Sequence, residues 1–107
     1  QITDSIISEI VTKIVENFSP EKIILFGSQA WGKPKEWSDI DMLVIMNYTE
    51  PSSRVSAKIS VAAKPQYIPM DILVRTPDEI AQRIEIGDYF MKRILTKGRI
   101  LYERRVS

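Results

Sequence analysis

The chain opens with apolar residues at three- and four-residue steps: Ile2, Ile6, Ile7, Ile10, Val11, Ile14, Val15 and Phe18. That spacing lines one face of a helix, and Pro20 predicts its end. The pattern then turns from periodic to continuous. Lys22-Ile-Ile-Leu-Phe26 is a short apolar run closed by Gly27, which predicts a buried strand. Ile40 to Met46 is apolar apart from Asp41. A second strand of that purity predicts a central place in a sheet covered on both faces. Between the two strands, Gly27 to Ser38 reads as a loop with a helical turn near Ser28–Gly32. Asn47 to Ser53 reads as a turn. Val55, Ile59 and Ala62 then predict a modest helix over about Ser53 to Ala63.

Met70-Asp-Ile-Leu-Val-Arg75 predicts a third strand, with regular pairing beginning after Pro69 because proline lacks an N–H. Thr76-Pro77-Asp78-Glu79 combines an N-cap, a proline at the first helical position and the glutamate of a capping box. The helix it opens uses Ile80 and Ile84 and is expected to break at Gly87. A further helix carries Phe90, Ile94 and Leu95, with Gly98 as its expected C-terminal cap. Arg99-Ile-Leu-Tyr-Glu103 predicts a last short strand. Strands alternating with helices argue for an α/β sheet with helices packed against it.

Composition narrows the chemistry. With 107 residues, the chain is expected to form one domain over 1–107. It has no cysteine and no histidine. Thiolate metal sites, cysteine nucleophiles, His-ligated zinc and histidine acid–base catalysis are therefore excluded. Any reaction must run on carboxylates, hydroxyls, amines and bound metal. No apolar run approaches 18 residues and no signal peptide is visible, which predicts a cytoplasmic protein without a membrane partner. The net charge of +1 argues against a general nucleic-acid binder. That charge is unevenly spread. Residues 92–107 hold six cations against Glu103, a net +5, and the first 91 residues are net −4. The basic end is either a solvated helix and tail or a surface for an acidic partner.

The candidate chemistry lies at three strand ends. Asp39 and Asp41 are two apart where the second strand opens, so both side chains are expected on one face. Asp71 opens the third strand. Carboxylates gathered at buried strand ends repel one another and raise one another's pKa values, and a hard divalent cation relieves that repulsion. An all-oxygen donor set points to Mg²⁺ or Mn²⁺, usually shared with substrate phosphates. Gly27 and Ser28 follow the first strand directly. Glycine lets a ligand approach the main chain, and Ser28 offers an N–H and a hydroxyl. One sheet end would thus supply phosphate donors beside metal carboxylates, which is what a nucleoside triphosphate needs.

Gly27-Ser28 followed by Asp39-x-Asp41, within Leu25-Phe-Gly-Ser-Gln-Ala-Trp-Gly32 and Ser38-Asp-Ile-Asp-Met-Leu-Val44, resembles the signature of the DNA polymerase beta-like nucleotidyltransferases. The likeness is to their smallest, minimal members. Met70 to Val74 is similar to the strand that bears the family's third carboxylate. The resemblance implies a small mixed β-sheet with helices packed on it. It also implies that Gly27 and Ser28 hold the triphosphate of ATP or another nucleotide. Asp39 and Asp41 would bind two Mg²⁺ ions, and Asp71 would bind the second ion and help deprotonate the acceptor. The implied reaction moves a nucleoside monophosphate, AMP above all, onto a hydroxyl and releases pyrophosphate. Minimal members typically pair with a helical HEPN-type protein as the antitoxin of a toxin–antitoxin system. A hetero-oligomer of that kind, or a homodimer, is therefore implied. The alternative is a catalytically weak binding module that neutralises its partner by contact. Trp31 stands where many relatives carry Arg or Lys, so Lys33 or Lys35 would have to replace that cation. Trp31 and Trp37 either pack the loop or stack on a base.

Overall fold

A computed structural model describes residues 2–31 and 39–105. The first helix, α1 (Asp4–Phe18), is opened by Thr3, whose hydroxyl accepts a hydrogen bond from the Ile6 N–H at 3.3 Å. It ends at Ser19, which turns left-handed (φ 47°) and donates its N–H to the Val15 carbonyl at 3.1 Å. The remaining elements are β1 (Lys22–Phe26), α2 (Ser28–Trp31), β2 (Ile40–Ile45), α3 (Ser52–Ala63), β3 (Met70–Arg75), α4 (Pro77–Glu85), α5 (Tyr89–Lys97) and β4 (Arg99–Glu103). Every element read from the sequence pattern is present. The helix expected from about Ser53 starts one residue earlier, at Ser52, with Pro51 before it.

The four strands form one mixed sheet in the order β3-β2-β1-β4. β1 runs antiparallel to β2 and to β4, and β2 runs parallel to β3. The apolar purity of the Met42–Ile45 run follows from its place: β2 is central, and these four residues are all buried. Alternation along the strands divides two cores. Ile23, Leu25, Ile40, Met42, Val44, Ile72 and Val74 meet Ile7, Ile10 and Ile14 of α1 and Val55, Ile59 and Ala63 of α3. On the other face, Ile24, Phe26, Leu43 and Ile45 meet Met91 and Ile94 of α5. The molecule is thus helix on sheet on helix, the arrangement that covers a parallel pair on both sides.

The second helical layer is thinner. α4 has no fully buried residue; Ile80 packs partly buried against the α5-side core, and one hydrogen bond ties the helix to the loop after β2. The Thr76 hydroxyl accepts from the Glu79 N–H at 3.1 Å, and Glu79 Oε1 accepts from the Thr76 N–H at 2.9 Å. The same oxygen accepts from the Tyr48 hydroxyl at 2.6 Å. Gly98 is the C-cap of α5, as expected, but for a different reason than a left-handed cap. Its backbone is extended (φ −71°, ψ 161°). A side chain there would strike the Ile94 carbonyl, the Ile24 side chain and the Leu25 carbonyl. Glycine is required by the tight exit from α5 over the Ile94 carbonyl and by the close approach of that end to β1, not by a left-handed backbone.

Candidate active site

The sheet brings the predicted residues to one end. β1 ends at Phe26 and hands over to Gly27. β2 and β3 begin at that same end, with Asp41 second in β2 and Asp71 second in β3. In the parallel pair Asp41 lies opposite Asp71, and in the antiparallel pair it lies opposite Phe26. Opposite residues present their side chains on one face. Burial fixes which face. Leu43 and Phe26, which share parity with Asp41, pack with α5, so Asp41 and Asp71 lie on the α5 side of the sheet. Asp39 stands just outside the strand rather than in it, because pairing begins at Ile40, whose N–H donates to the Pro69 carbonyl at 3.0 Å.

Gly27 adopts φ +75°, a conformation open to glycine and strained for other residues. It has a second reason to be glycine: a Cβ at this position would collide with the Asp41 carboxylate. The turn and the central acid are therefore built against each other. The turn then winds into α2, with the Ala30 N–H donating to the Gly27 carbonyl at 3.0 Å. Gly27 and Ser28 are both partly buried at this edge. That packing of glycine on carboxylate is invisible in the sequence, where the two residues are fourteen apart.

Asp41 carries the electrostatic strain of the site. Burial pushes its carboxyl above the ordinary 3.8, and the charges of Asp71 and then Asp39 push it further the same way. Asp71 is exposed, and so is Asp39. Among the described residues no three acidic side chains converge on a single ion position. Asp41 is instead the shared neighbour of the other two. Three carboxylates with no nitrogen or sulfur donor fit Mg²⁺ or Mn²⁺ by the chemistry of the set. A divalent charge would also relieve the like-charge crowding at Asp41.

The match of the chain to known families decides the fold's identity. Residues 8–106 match the family model described as polymerase beta, nucleotidyltransferase. The chain belongs to that family. Solved structures agree with the fold. A candidate nucleotidyltransferase from Sulfolobus solfataricus superposes with a TM-score of 0.65 at 20% identity, over 94% of this chain and 79% of that one. Two variants of the MntA–HpeT toxin–antitoxin give TM-scores of 0.56 and 0.57, each at 18% identity. They cover 90% and 98% of this chain and 72% and 76% of theirs. No curated protein sequence matches the chain significantly.

Other expectations fall differently. Lys33, Lys35 and Trp37 lie outside the described residues, as does the side chain of Trp31. Arg75 shares the face of Asp71 but serves the far end of β3. Its guanidinium donates to the Val74 carbonyl at 2.7 Å, and among the described residues it makes none of the ion pairs seen. The basic end is partly tied to the body. Arg99 pairs with Asp4 at 3.4 Å, Lys22 with Glu103 at 2.9 Å, and the Arg104 guanidinium donates to the Ser19 carbonyl. No helix of the described residues is long and apolar enough to cross a membrane.

Proposed function

We propose that the chain is a Mg²⁺-dependent transferase that moves AMP from ATP onto a hydroxyl of a protein partner, acting as the antitoxin of a toxin–antitoxin pair. The observation that carries this reading is the junction of Gly27 with Asp41, with Asp71 opposite Asp41 on the same face. Family membership supports the transferase chemistry. The fold likeness to MntA–HpeT supports a protein partner, here a helical HEPN-type chain.

On this reading Asp39 and Asp41 hold the metal ions, with Asp71 on the second of them, and Gly27 and Ser28 bind the triphosphate. When bound, the ions would neutralise phosphate charge and stabilise the attacking and leaving oxygens of an in-line displacement. The residues of the chain position the rest. The acceptor oxygen forms a bond to the α-phosphorus, and the bond from that phosphorus to the bridging oxygen of the β-phosphate breaks. Pyrophosphate leaves, and the acceptor proton passes to the Asp71 carboxylate. No histidine is needed. On this reading the acceptor hydroxyl is supplied by the partner.

The test is incubation of the chain and its co-purifying partner with α-labelled ATP and Mg²⁺. Label should appear on the partner with the wild type and disappear with the double change Asp39→Asn and Asp41→Asn. Partner neutralisation that survives the double change, with no label transferred by the wild type, would establish the contact-only module instead.

A further inference from the structure

The end of the sheet that carries the carboxylates presents a row on one face: Asp71, Asp41 and Phe26, on three adjacent strands. Neighbours in such a row have Cβ atoms about 4.5–5.5 Å apart. Phe26 is buried among Met91 and Ile94 of α5, and it also meets Phe90 of that helix. The two rings meet edge to face, with centroids 5.7 Å apart and planes at 84°. Phe90 itself remains 53% exposed.

An exposed apolar residue is ordinary by itself. Two things set Phe90 apart. Its ring stands next to the row that ends in the carboxylates, and it immediately adjoins the residue that leads into Gly27. It is also held rather than loose. Phe26 packs against its ring, and Asp88 caps the helix that bears it, accepting from the Met91 N–H at 3.0 Å. A triphosphate drawn to Gly27 and the aspartates must direct its base somewhere within a nucleoside's length. Phe90 offers a half-exposed aromatic surface against Phe26, the residue that precedes Gly27.

We infer that Phe90 is the platform on which the nucleotide's base stacks. This rests on the transferase reading above, and it adds the nucleoside side of the site. Stacking on an aromatic ring accepts any base, because every base has a π-face. Phe90 would therefore give affinity for nucleosides over bare polyphosphate, without choosing strongly among purines.

The test compares two probes by calorimetric titration: Mg·ATP, and Mg·tripolyphosphate, which has the phosphates and no base. The variants are Phe90→Leu, which keeps apolar bulk over Phe26, and Phe90→Trp, which enlarges the ring; melting curves confirm that both fold. Phe90→Leu should weaken Mg·ATP roughly 5- to 100-fold and leave Mg·tripolyphosphate within about twofold, whereas Phe90→Trp should keep or tighten Mg·ATP. In the transfer assay the Leu variant should raise KM for ATP with kcat little changed. Equal weakening of both probes, or of neither, would make Phe90 a packing residue and overturn the inference. A wild type that binds both probes equally would overturn it too, yet leave the phosphate and metal site standing. A wild type that binds neither would remove the transferase reading and the platform together.

Discussion

At the scale of single residues, Gly27 and Asp41 define each other. Gly27→Ala would place a left-handed alanine, a strain of about 1–2 kcal/mol, and would drive its methyl into the Asp41 carboxylate. The expected outcome is a lower melting temperature together with loss of Mg·ATP binding. A variant that binds nucleotide like the wild type would show that the contact is incidental. Asp41 yields the opposite stability change. Its carboxyl is raised above 3.8 by burial, by Asp71 and by Asp39, so the folded state binds more protons than the unfolded one once pH passes that value. Stability therefore falls as pH rises through 3.8 towards the raised pKa, and the loss persists at neutrality. In metal-free buffer with chelator, Asp41→Asn should melt above the wild type at pH 7. The gap should close below about pH 3.8, where both unfolded and folded carboxyls are protonated. An Asn variant less stable than the wild type at pH 7 would mean that the carboxylate makes a stabilising contact that outweighs the repulsion. The expected gain in the Asn variant would mean that function holds in place a charge that folding alone disfavours.

At the scale of elements, α4 buries no residue fully, and beside the packing of Ile80 it is tied to the body through Tyr48. Burial first, and then the hydrogen bond to Glu79, push the Tyr48 hydroxyl up to about 12. The same bond is the main cause that holds Glu79 below its ordinary 4.5, ahead of the Thr76 N–H. A depressed carboxylate contributes stability that is present above the unfolded pKa and lost as pH falls through the folded one. Tyr48→Phe should therefore cost about 1–3 kcal/mol at pH 7, measured by denaturant unfolding. The difference from wild type should shrink as pH drops below 4.5. A pH-independent difference would assign the loss to packing instead. The capping box at Thr76 was legible because its signal is local: four adjacent residues carry it. The Tyr48 tie was not, since thirty-one residues separate its partners and neither type announces the other. Gly98 falls between these cases. Its place at the end of α5 was readable from the pattern, but part of the reason for glycine lies in the approach of that end to Ile24 and Leu25 of β1, which no local signal encodes.

At the scale of the whole molecule, the site exists only because strand order gathers distant residues. Gly27, Asp41 and Asp71 could be singled out from residue type and from their places at strand ends. Their common face could not. It depends on the register that sets Asp41 opposite both Asp71 and Phe26, and a slip of one residue would turn Asp41 to the α1 and α3 side. A ligand held by this edge would bind the folded chain and not the unfolded one, so the proposed nucleotide binding would be coupled to global stability. Mg·ATP at a hundred times its Kd should add about 2.7 kcal/mol, a rise in melting temperature on the order of 10 °C for a domain of this size. Metal and nucleotide are expected to act together. ATP with chelator meets the unrelieved charge of three aspartates and should give little shift, and Mg²⁺ alone should give a small one. The double change Asp39→Asn and Asp41→Asn should melt at the same temperature with and without Mg·ATP. An equal shift from ATP in chelator, or a full shift in the double variant, would place the nucleotide away from this edge. The candidate for that location is the roughly 750 Å³ cavity at the far end of the sheet, floored by Ile45, Ile80 and Leu95 and rimmed by Lys22 and Arg105. Its cations could attract phosphate, but Lys22 is paired with Glu103, and the two glutamates that line it, Glu21 and Glu103, belong to no group of three acidic side chains placed to hold a metal among the described residues. The metal dependence of the melting shift thus decides between the two ends of the sheet.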